Sequence, residues 1–260
     1  MDAIVPDPDL DELVLTPLRG IPIIQAGDDL AAIILSALRA SDRGLAAGDI
    51  LVVAQKIVSK AEGRMVDLRT ITPSARAVTL AKATEKDPRI VELILAESTD
   101  VLRHRPGALI VAHRLGMVLA NAGIDQSNVG GEERALLLPL DPDRSCAAIR
   151  RNLADLTGVD VGVMIIDSIG RAWRNGTIGT AIGVSGLPGL LDLRGTPDLF
   201  GRVLETTEVG LADELAAATS LVMGQAGEGR PVVLARGVGY ARRDGSAQEL
   251  IRAREKDLFR

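Results

Sequence analysis

Three observations predict a mixed α/β (α+β) fold from this sequence of 260 residues. Short apolar runs such as "ILVVA" and "VGVMII" have the length and the β-branched composition of buried strands. Other segments repeat apolar residues every three or four positions, as one face of a helix does. The two patterns alternate along the chain without internal repeats, which is typical of a domain that mixes helices and sheet.

The composition limits the classes of function. Hydrophobic residues make up 47% of the chain and charged residues 25%, as in ordinary globular proteins. A net charge of -5 and the scarcity of aromatic residues argue against a nucleic-acid partner. No apolar run approaches the roughly 18 residues that cross a bilayer, and the N-terminus is acidic, so we expect a cytoplasmic protein without a membrane partner. We expect residues 1–13 to be a flexible acidic leader and residues 14–260 to form one domain.

Capping signals predict the helices of the N-terminal half. Asp28 or Asp29 can cap a helix, which is followed by the predicted strand "GDILVVA". Asp87 and Pro88 have the order of an N-cap and a first helical residue, and we predict a helix from there as far as Leu102.

The C-terminal half is predicted to be richer in strands. "GALIVAH" and "GMVLANAG" predict a hairpin, and "SCAAIRRNLADLTG" predicts a helix that stops at Gly158. A buried strand then covers residues 161–166. The glycine-rich residues 176–195 form either a strand with close backbone neighbours or a loop laid on a ligand. A helix over residues 208–224 and the strand "VVLAR" complete the prediction.

Four polar clusters follow these apolar elements, and the first is Asp167, Ser168, Arg171 and Arg174. A carboxylate alone in a dry interior costs several kcal/mol, so Asp167 must end its strand facing water, a cation or backbone N–H groups. Carboxylate and hydroxyl oxygens suit Mg and Mn, and arginines can hold phosphate or carboxylate oxygens. The competing interpretation is a capped turn with solvated arginines.

The second cluster, "NAGIDQSN", places Asp125 among neutral hydrogen-bonding side chains after another predicted strand. Two acids from separate strand ends suit a metal that is shared with a nucleotide. A turn rich in Asn and Asp explains the same residues.

The third and fourth clusters could bind anions. "AQKIVSKAEGR" spaces Lys56, Lys60 and Arg64 four residues apart, so on a helix the three cations share one face. That face either binds an anion or is solvated. "MGQAGEGRP" has three glycines, which either allow the backbone to approach an anion closely or simply end a helix.

In this order, the segments resemble one family, the coenzyme F-420-0:L-glutamate (gamma-glutamyl) ligases. The resemblance covers about residues 14–255 and is carried by "GIPIIQAGDDL", "VVAQKIVSKAEGR", "NAGIDQSN", "LLLPLDPD", "IIDSIGRAWRNG" and "TEVGLADELAAATSLVMGQAGEG". It implies a GTP-dependent ligase fold without a Walker loop and an intertwined homodimer. The chain ends at Arg260, so we expect the form without the C-terminal reductase domain of some members.

The resemblance also implies a reaction. GTP phosphorylates a carboxylate of the deazaflavin precursor F-420-0, the amine of L-glutamate attacks the acyl phosphate, and GDP and phosphate leave. Further glutamates join through the γ-carboxylate. The implied cofactors are two divalent cations, Mg or Mn, with potassium helping in some members. Phosphoryl transfer depends mainly on neutralising and positioning charge, which agrees with the clustered acids and cations.

Matching positions imply individual roles. The implied metal ligands are Asp125, Asp167, Ser168, where the family more often has Thr, and Gln225, where some relatives have an acid. The implied nucleotide contacts are Ile21, Pro22, Ile23, Ile24, Gln55, Lys56, Lys60, Asn128, Met223, Gly224, Gln225, Ala226, Gly227, Glu228 and Gly229. Gln55 and Lys56 replace small hydroxyl residues that are common in the family. By hypothesis, Arg171 and Arg174 neutralise the acyl phosphate or bind a substrate carboxylate.

Two alternatives stay open. One is a ligase with the same mechanism that acts on a different carboxylate acceptor, because the motifs describe phosphate and metal handling better than the acceptor. The other is a nucleotide-binding protein without catalysis. Turnover of GTP that depends on glutamate separates the second alternative from both ligases.

Overall fold

A computed structural model describes residues 12–258, so the predicted leader lies almost entirely outside the described residues. The strands and α-helices follow one another in the order β1 (Val14–Pro17), α1 (Leu30–Ala40), β2 (Ile50–Ala54), α2 (Gln55–Ala61), β3 (Met65–Asp67), α3 (Ala75–Thr84), α4 (Pro88–Ala96), β4 (Ser98–Arg105), β5 (Ala108–His113), β6 (Val118–Ala120), β7 (Arg134–Leu136), α5 (Pro142–Thr157), β8 (Gly162–Arg171), β9 (Arg174–Ser185), β10 (Leu191–Asp192), β11 (Glu208–Val209), α6 (Leu211–Met223) and β12 (Val232–Arg236). This mixture confirms the predicted α/β class.

The largest sheet has five strands in the order β1-β12-β2-β8-β9. Only β2 and β8 are parallel neighbours in it; the other pairs are antiparallel. Successive side chains of a strand point to opposite faces, so Leu51 and Val53 pack with α1 and α5, whereas Val52 and Met164 pack with α6. Helices on both faces explain why β2 and the first half of β8 are apolar throughout.

A second apolar core lies outside this sheet. It joins α3 and α4 to the three-stranded sheet β4-β5-β6 and to the β3-β7 pair, through residues such as Ile94, Val111 and Ala135. Within residues 12–258, no helix combines the length and the apolar character needed to cross a membrane.

Several predicted elements are confirmed with their local causes. Asp29 caps α1 by accepting a hydrogen bond from the N–H of Ala31 at 3.0 Å, and Gly158 ends α5 in the left-handed conformation. The glycine-rich stretch is a strand, β9. A Cβ at Gly179 or Gly183 would clash with the backbone of α6 or α5, so these glycines let both helices pack against the strand.

One predicted helix is too long. The helix that begins at Pro88 ends at Ala96, and Leu102 belongs to β4 instead. Ser98–Arg105 pairs antiparallel with β5, and this pairing overrides the helical spacing of the apolar residues. The turn between the two elements places Glu97 between two arginines, as described below.

Candidate functional site

The predicted site residues meet at one end of the central sheet, where the parallel strands β2 and β8 stop pairing. A cavity of about 340 Å³ opens there. The predicted residues that line it are Ile21, Pro22, Ile23, Gln55, Lys56, Lys60, Asn128, Asp167, Ser168, Met223, Gly224, Gln225, Ala226, Gly227, Glu228 and Gly229. Five segments that are far apart in sequence therefore share one cavity.

Four predicted residues do not line this cavity. Ile24 is buried in the core with α1, so its side chain does not face the cavity. Asp125 lies directly behind the lining, in contact with Gln55 and Lys56. Arg171 and Arg174 lie on the part of the β8-β9 hairpin that extends past the cavity.

The sequence predicted that the strand before Asp167 ends at Ile166. In the structure this strand, β8, includes Asp167 and continues to Arg171. Pairing between β2 and β8 ends with Ala54 and Ile166, but β9 continues beside β8 as far as Arg171. Asp167 is therefore the first residue of β8 beyond the parallel pair. The β8-β9 ladder, in which Asp167 lies opposite Thr180, fixes the backbone that carries the carboxylate.

Asp125 reaches the site from the loop that follows β6. Its backbone exchanges two hydrogen bonds with Leu136, with N···O distances of 3.0 and 2.8 Å. Its carboxylate accepts a hydrogen bond from Nε2 of Gln55 at 2.8 Å and lies 3.2 Å from Nζ of Lys56. The N-terminal residues of α2 thus hold this carboxylate from the side of the central sheet.

The two carboxylates carry more negative charge than the fold compensates. Burial, followed by the charge of Asp125, raises the pKa of Asp167 to about 6. Burial also raises the pKa of Asp125, although Lys56 and Gln55 oppose this effect. A bound cation would favour the ionised form of both groups, so the electrostatics of the pair fit a metal site.

The neighbouring donor groups are oxygens. The hydroxyl of Ser168 donates to Oε1 of Gln225 at 2.5 Å, which brings both neutral predicted ligands together at the cavity. Two carboxylates with hydroxyl and amide oxygens suit hard divalent cations such as Mg and Mn. Among the described residues, no group of three or more His, Cys, Asp or Glu side chains is placed to hold a metal. A metal site at this cavity would therefore use the neutral oxygens as well as the two carboxylates.

The lysines of α2 face the same cavity. Nζ of Lys60 donates to the carbonyl of Asn128 at 2.8 Å, and Nζ of Lys56 donates to Oγ of Ser127 at 3.0 Å. Burial, followed by the charge of Lys56, lowers the pKa of Lys60. An anion in the cavity would relieve this repulsion between the two lysines.

Arg64 does not share the lysine face that its spacing predicted. The helix α2 ends at Ala61, and Arg64 turns away to donate to Glu97 and to the carbonyl of Leu138, each at 2.9 Å. The repeat of four residues was a weak signal because it continued past the end of the helix.

The cavity also contains residues that the sequence prediction missed. Arg230 lies in the lining directly after the glycine-rich loop, where its charge in "GEGRP" was an available signal. Ser220 lines the cavity from the last turn of α6. Nothing in the sequence distinguishes Ser220 from other helical residues, because its position depends on how α6 packs against β9.

Paired carboxylates, neutral oxygen ligands, lysines and a glycine-rich loop around one cavity define a class of site suited to phosphate groups and divalent cations. The comparison with known families specifies this class further. The model of the F420-0:Gamma-glutamyl ligase family matches residues 20–237, and the chain belongs to this family.

Relatives match over almost their full length. The chain is 49% identical to the coenzyme F420:L-glutamate ligase of Methanothermobacter thermautotrophicus, over 95% of this chain and 98% of the relative. It is 48% identical to the protein of the same name from Methanopyrus kandleri, over 91% and 93% of the two chains. It is 46% identical to the coenzyme F420:L-glutamate ligase of Archaeoglobus fulgidus, over 94% of this chain and 95% of the relative. These matches confirm the resemblance found in the motifs.

Proposed function

We propose that this protein joins L-glutamate to the carboxylate of coenzyme F-420-0 in a GTP-dependent reaction and then adds further glutamates through γ-linkages. The observation that carries the proposal is the pair Asp125 and Asp167, which the fold brings together with only partial compensation of their charge, beside lysines and a glycine-rich loop. The names of the relatives support the acceptor and the amino acid.

The nucleotide would lie in the cavity with its phosphates toward the cations. Lys56, Lys60 and Arg230 supply positive charge there, and the backbone of Gly224–Gly229 supplies N–H donors. Ile21, Pro22 and Ile23 form an apolar part of the lining that suits the flat face of a base. This arrangement favours transfer of the terminal phosphoryl group mainly by positioning it and neutralising its charge.

Asp125 and Asp167, together with Ser168 and Gln225, would hold two divalent cations, Mg or Mn, with potassium as an additional ion. When bound, these cations neutralise charge on the phosphate oxygens. The protein residues hold the ligand oxygens in place: Gln55 and Lys56 orient Asp125, and the β8-β9 ladder orients Asp167.

The proposed ligation has two steps. A carboxylate oxygen of the acceptor bonds to the γ-phosphorus of GTP as the bond to GDP breaks, which leaves an acyl phosphate. The amine nitrogen of L-glutamate then bonds to the acyl carbon, phosphate leaves with the former carboxylate oxygen, and the nitrogen releases a proton. Arg171 and Arg174 would neutralise the acyl phosphate or bind a substrate carboxylate. In support, Nε of Arg171 is buried without a hydrogen-bond partner in the described part of the chain.

We also propose that the active form is a homodimer. In the segment between β10 and β11, Leu199 and Phe200 are almost fully exposed, at 98% and 95%. Neighbouring exposed apolar side chains are suited to an interface with a second copy. Replacing both residues with Ser should convert the dimer to a monomer in light scattering after size exclusion, whereas a dimer of unchanged mass would contradict this interface.

The decisive test measures GDP release from GTP with Mn, L-glutamate and F-420-0, and follows the deazaflavin by mass spectrometry. A series of products that differ by one glutamate, formed only with both substrates, is the expected result. Metal-dependent GTP binding without these products would instead favour another carboxylate acceptor. GTP binding without any glutamate-dependent turnover would favour a protein that does not catalyse ligation.

A further inference from the structure

The backbone of the glycine-rich loop at residues 224–229 converges on a carboxylate of the loop itself. The N–H of Ala226 donates to Oε2 of Glu228 at 2.8 Å. The backbone N–H groups of Glu228 and Gln225 also stabilise the charge of this carboxylate, and Ala226 contributes most. These backbone groups lower the pKa of Glu228, so the carboxylate stays ionised at neutral pH.

The loop is shaped around this carboxylate. Gly224 has a φ of +84°, and a Cβ at this position would clash with the carboxylate of Glu228. Glycine at this position tolerates the positive φ and also leaves room for the carboxylate. Glu228 is exposed to solvent and lines the cavity, so it is not part of the apolar core.

Backbone N–H groups that converge in this way form a concave site for an anion, and a phosphate group satisfies the same donors as a carboxylate. A phosphate carries more charge and a further acceptor oxygen, and it would also be attracted by Lys60 and Arg230 in the same cavity. Both anions cannot occupy the site together, because they require the same N–H groups.

We propose, building on the proposed function, that the N–H groups of Gln225, Ala226 and Glu228 form a seat for one phosphate group of the nucleotide, and that the Glu228 carboxylate is the resident competitor for that seat. A nucleotide must displace this carboxylate in order to bind. When GDP is left with fewer contacts after the reaction, the carboxylate returns and promotes its release. Glu228 therefore sets the affinity for nucleotide and the rate at which product leaves.

The test compares Glu228→Gln with Glu132→Gln as a matched control. Glu132 is exposed and lies four residues after Asn128, whose side chain approaches the carbonyl of Ala226 at 3.5 Å. Both variants remove one exposed negative charge, but only Glu228→Gln replaces the anion at the seat with a neutral amide, which competes less strongly with a phosphate for the N–H groups. Calorimetry with Mg should measure the dissociation constants of GDP and of inorganic pyrophosphate for the wild type and both variants.

We expect Glu228→Gln to bind both ligands about five to ten times more tightly, as it should if the seat is free for only about 10–20% of the time in the wild type. We also expect Glu132→Gln to match the wild type. Equal or weaker binding by Glu228→Gln, or an equal gain in both variants, would overturn the competition.

The failure of this inference can be separated from that of the proposed function. If no protein bound pyrophosphate, the phosphate seat would be wrong whatever the ligase assay showed. If Glu228→Gln bound pyrophosphate more tightly but the wild type formed no glutamate products, the seat would stand and the proposed ligase function would fail.

Discussion

Two regions of this protein place partly buried carboxylates near basic side chains. The regions differ in how far those side chains compensate the negative charge. At the cavity, the charge of Asp125 acts on Asp167, and burial raises the pKa of both. Elsewhere, Glu97 accepts hydrogen bonds from Arg64 and Arg114, each at 2.9 Å. Burial alone would raise the pKa of Glu97, but the two arginines outweigh burial and lower it.

The difference separates a structural group from a functional one. The arginines beside Glu97 also donate to the carbonyls of Leu138 and Leu140, so this cluster connects separate parts of the chain with nearly all its polar groups satisfied. The carboxylates at the cavity keep charge that Lys56 compensates only in part, which costs stability and suits the proposed cation site. Removing a charge should therefore have opposite consequences in the two regions.

The largest expected effect is on catalysis. Asp167→Asn should lower glutamate-dependent GTP turnover by more than about a thousandfold, because the group that we propose as a cation ligand loses its charge. The variant should melt at the wild-type temperature or slightly above it, since the fold no longer contains this uncompensated carboxylate. Asp192→Asn is the control, because Asp192 forms an exposed ion pair with Arg194. Turnover near the wild-type rate would refute the role of Asp167.

The second effect is on stability. Glu97→Gln should lower the free energy of unfolding by about 3 kcal/mol, because two largely buried arginines lose their counter-ion. Urea denaturation measures the loss. Glu133→Gln removes an exposed partner of Arg89 and should cost less than about 1 kcal/mol. Equal losses in the two variants would show that the Glu97 cluster is no more important than a surface ion pair.

A third prediction concerns added metal. Mn at a hundred times its dissociation constant should raise the free energy of unfolding by about 2.7 kcal/mol in the wild type. The increase should be absent in Asp167→Asn and retained in Glu97→Gln, because only the first substitution removes a proposed ligand. Thermal melts with and without Mn measure the difference. The same stabilisation in Asp167→Asn would place the metal elsewhere.

The smallest effect concerns pH. Burial, followed by the charge of Arg114, lowers the pKa of His113 to about 4. Its Nε2 lies 3.7 Å from Glu97 and has no hydrogen-bond partner among residues 12–258. The unfolded histidine titrates near pH 6.5, so the unfolded state binds the extra proton first and stability falls as the pH drops from 6.5 towards 4.

The histidine contributes roughly 2.5 kcal/mol to this fall. Urea denaturation of the wild type and of His113→Asn, which keeps an acceptor for the N–H of Leu115, measures the contribution at each pH. The difference in stability between the two proteins should shrink over this range. A constant difference from pH 6.5 to 4 would show that His113 does not titrate as described.

Much of the site could be predicted from local sequence. The two acid-bearing segments, the lysines and the glycine-rich loop follow apolar elements, and the sheet places most of them around one cavity. Two of the errors have a common cause. Leu102 was assigned to a helix, and Arg64 to the lysine face, from spacing that continued past the true end of a helix. The spacing of residues along the sequence does not indicate where pairing with a distant strand begins.

The sequence by itself determined the mixed α/β class, the family and the segments that carry polar residues, because these depend on local composition and order. Only the tertiary structure decided which charges are compensated. Gln55 reaches Asp125 across 70 residues, and Arg64 reaches Glu97 across 33. Electrostatic energy depends on distance in space and on burial, so chemically similar carboxylates became a structural link at Glu97 and a candidate metal site at Asp125 and Asp167.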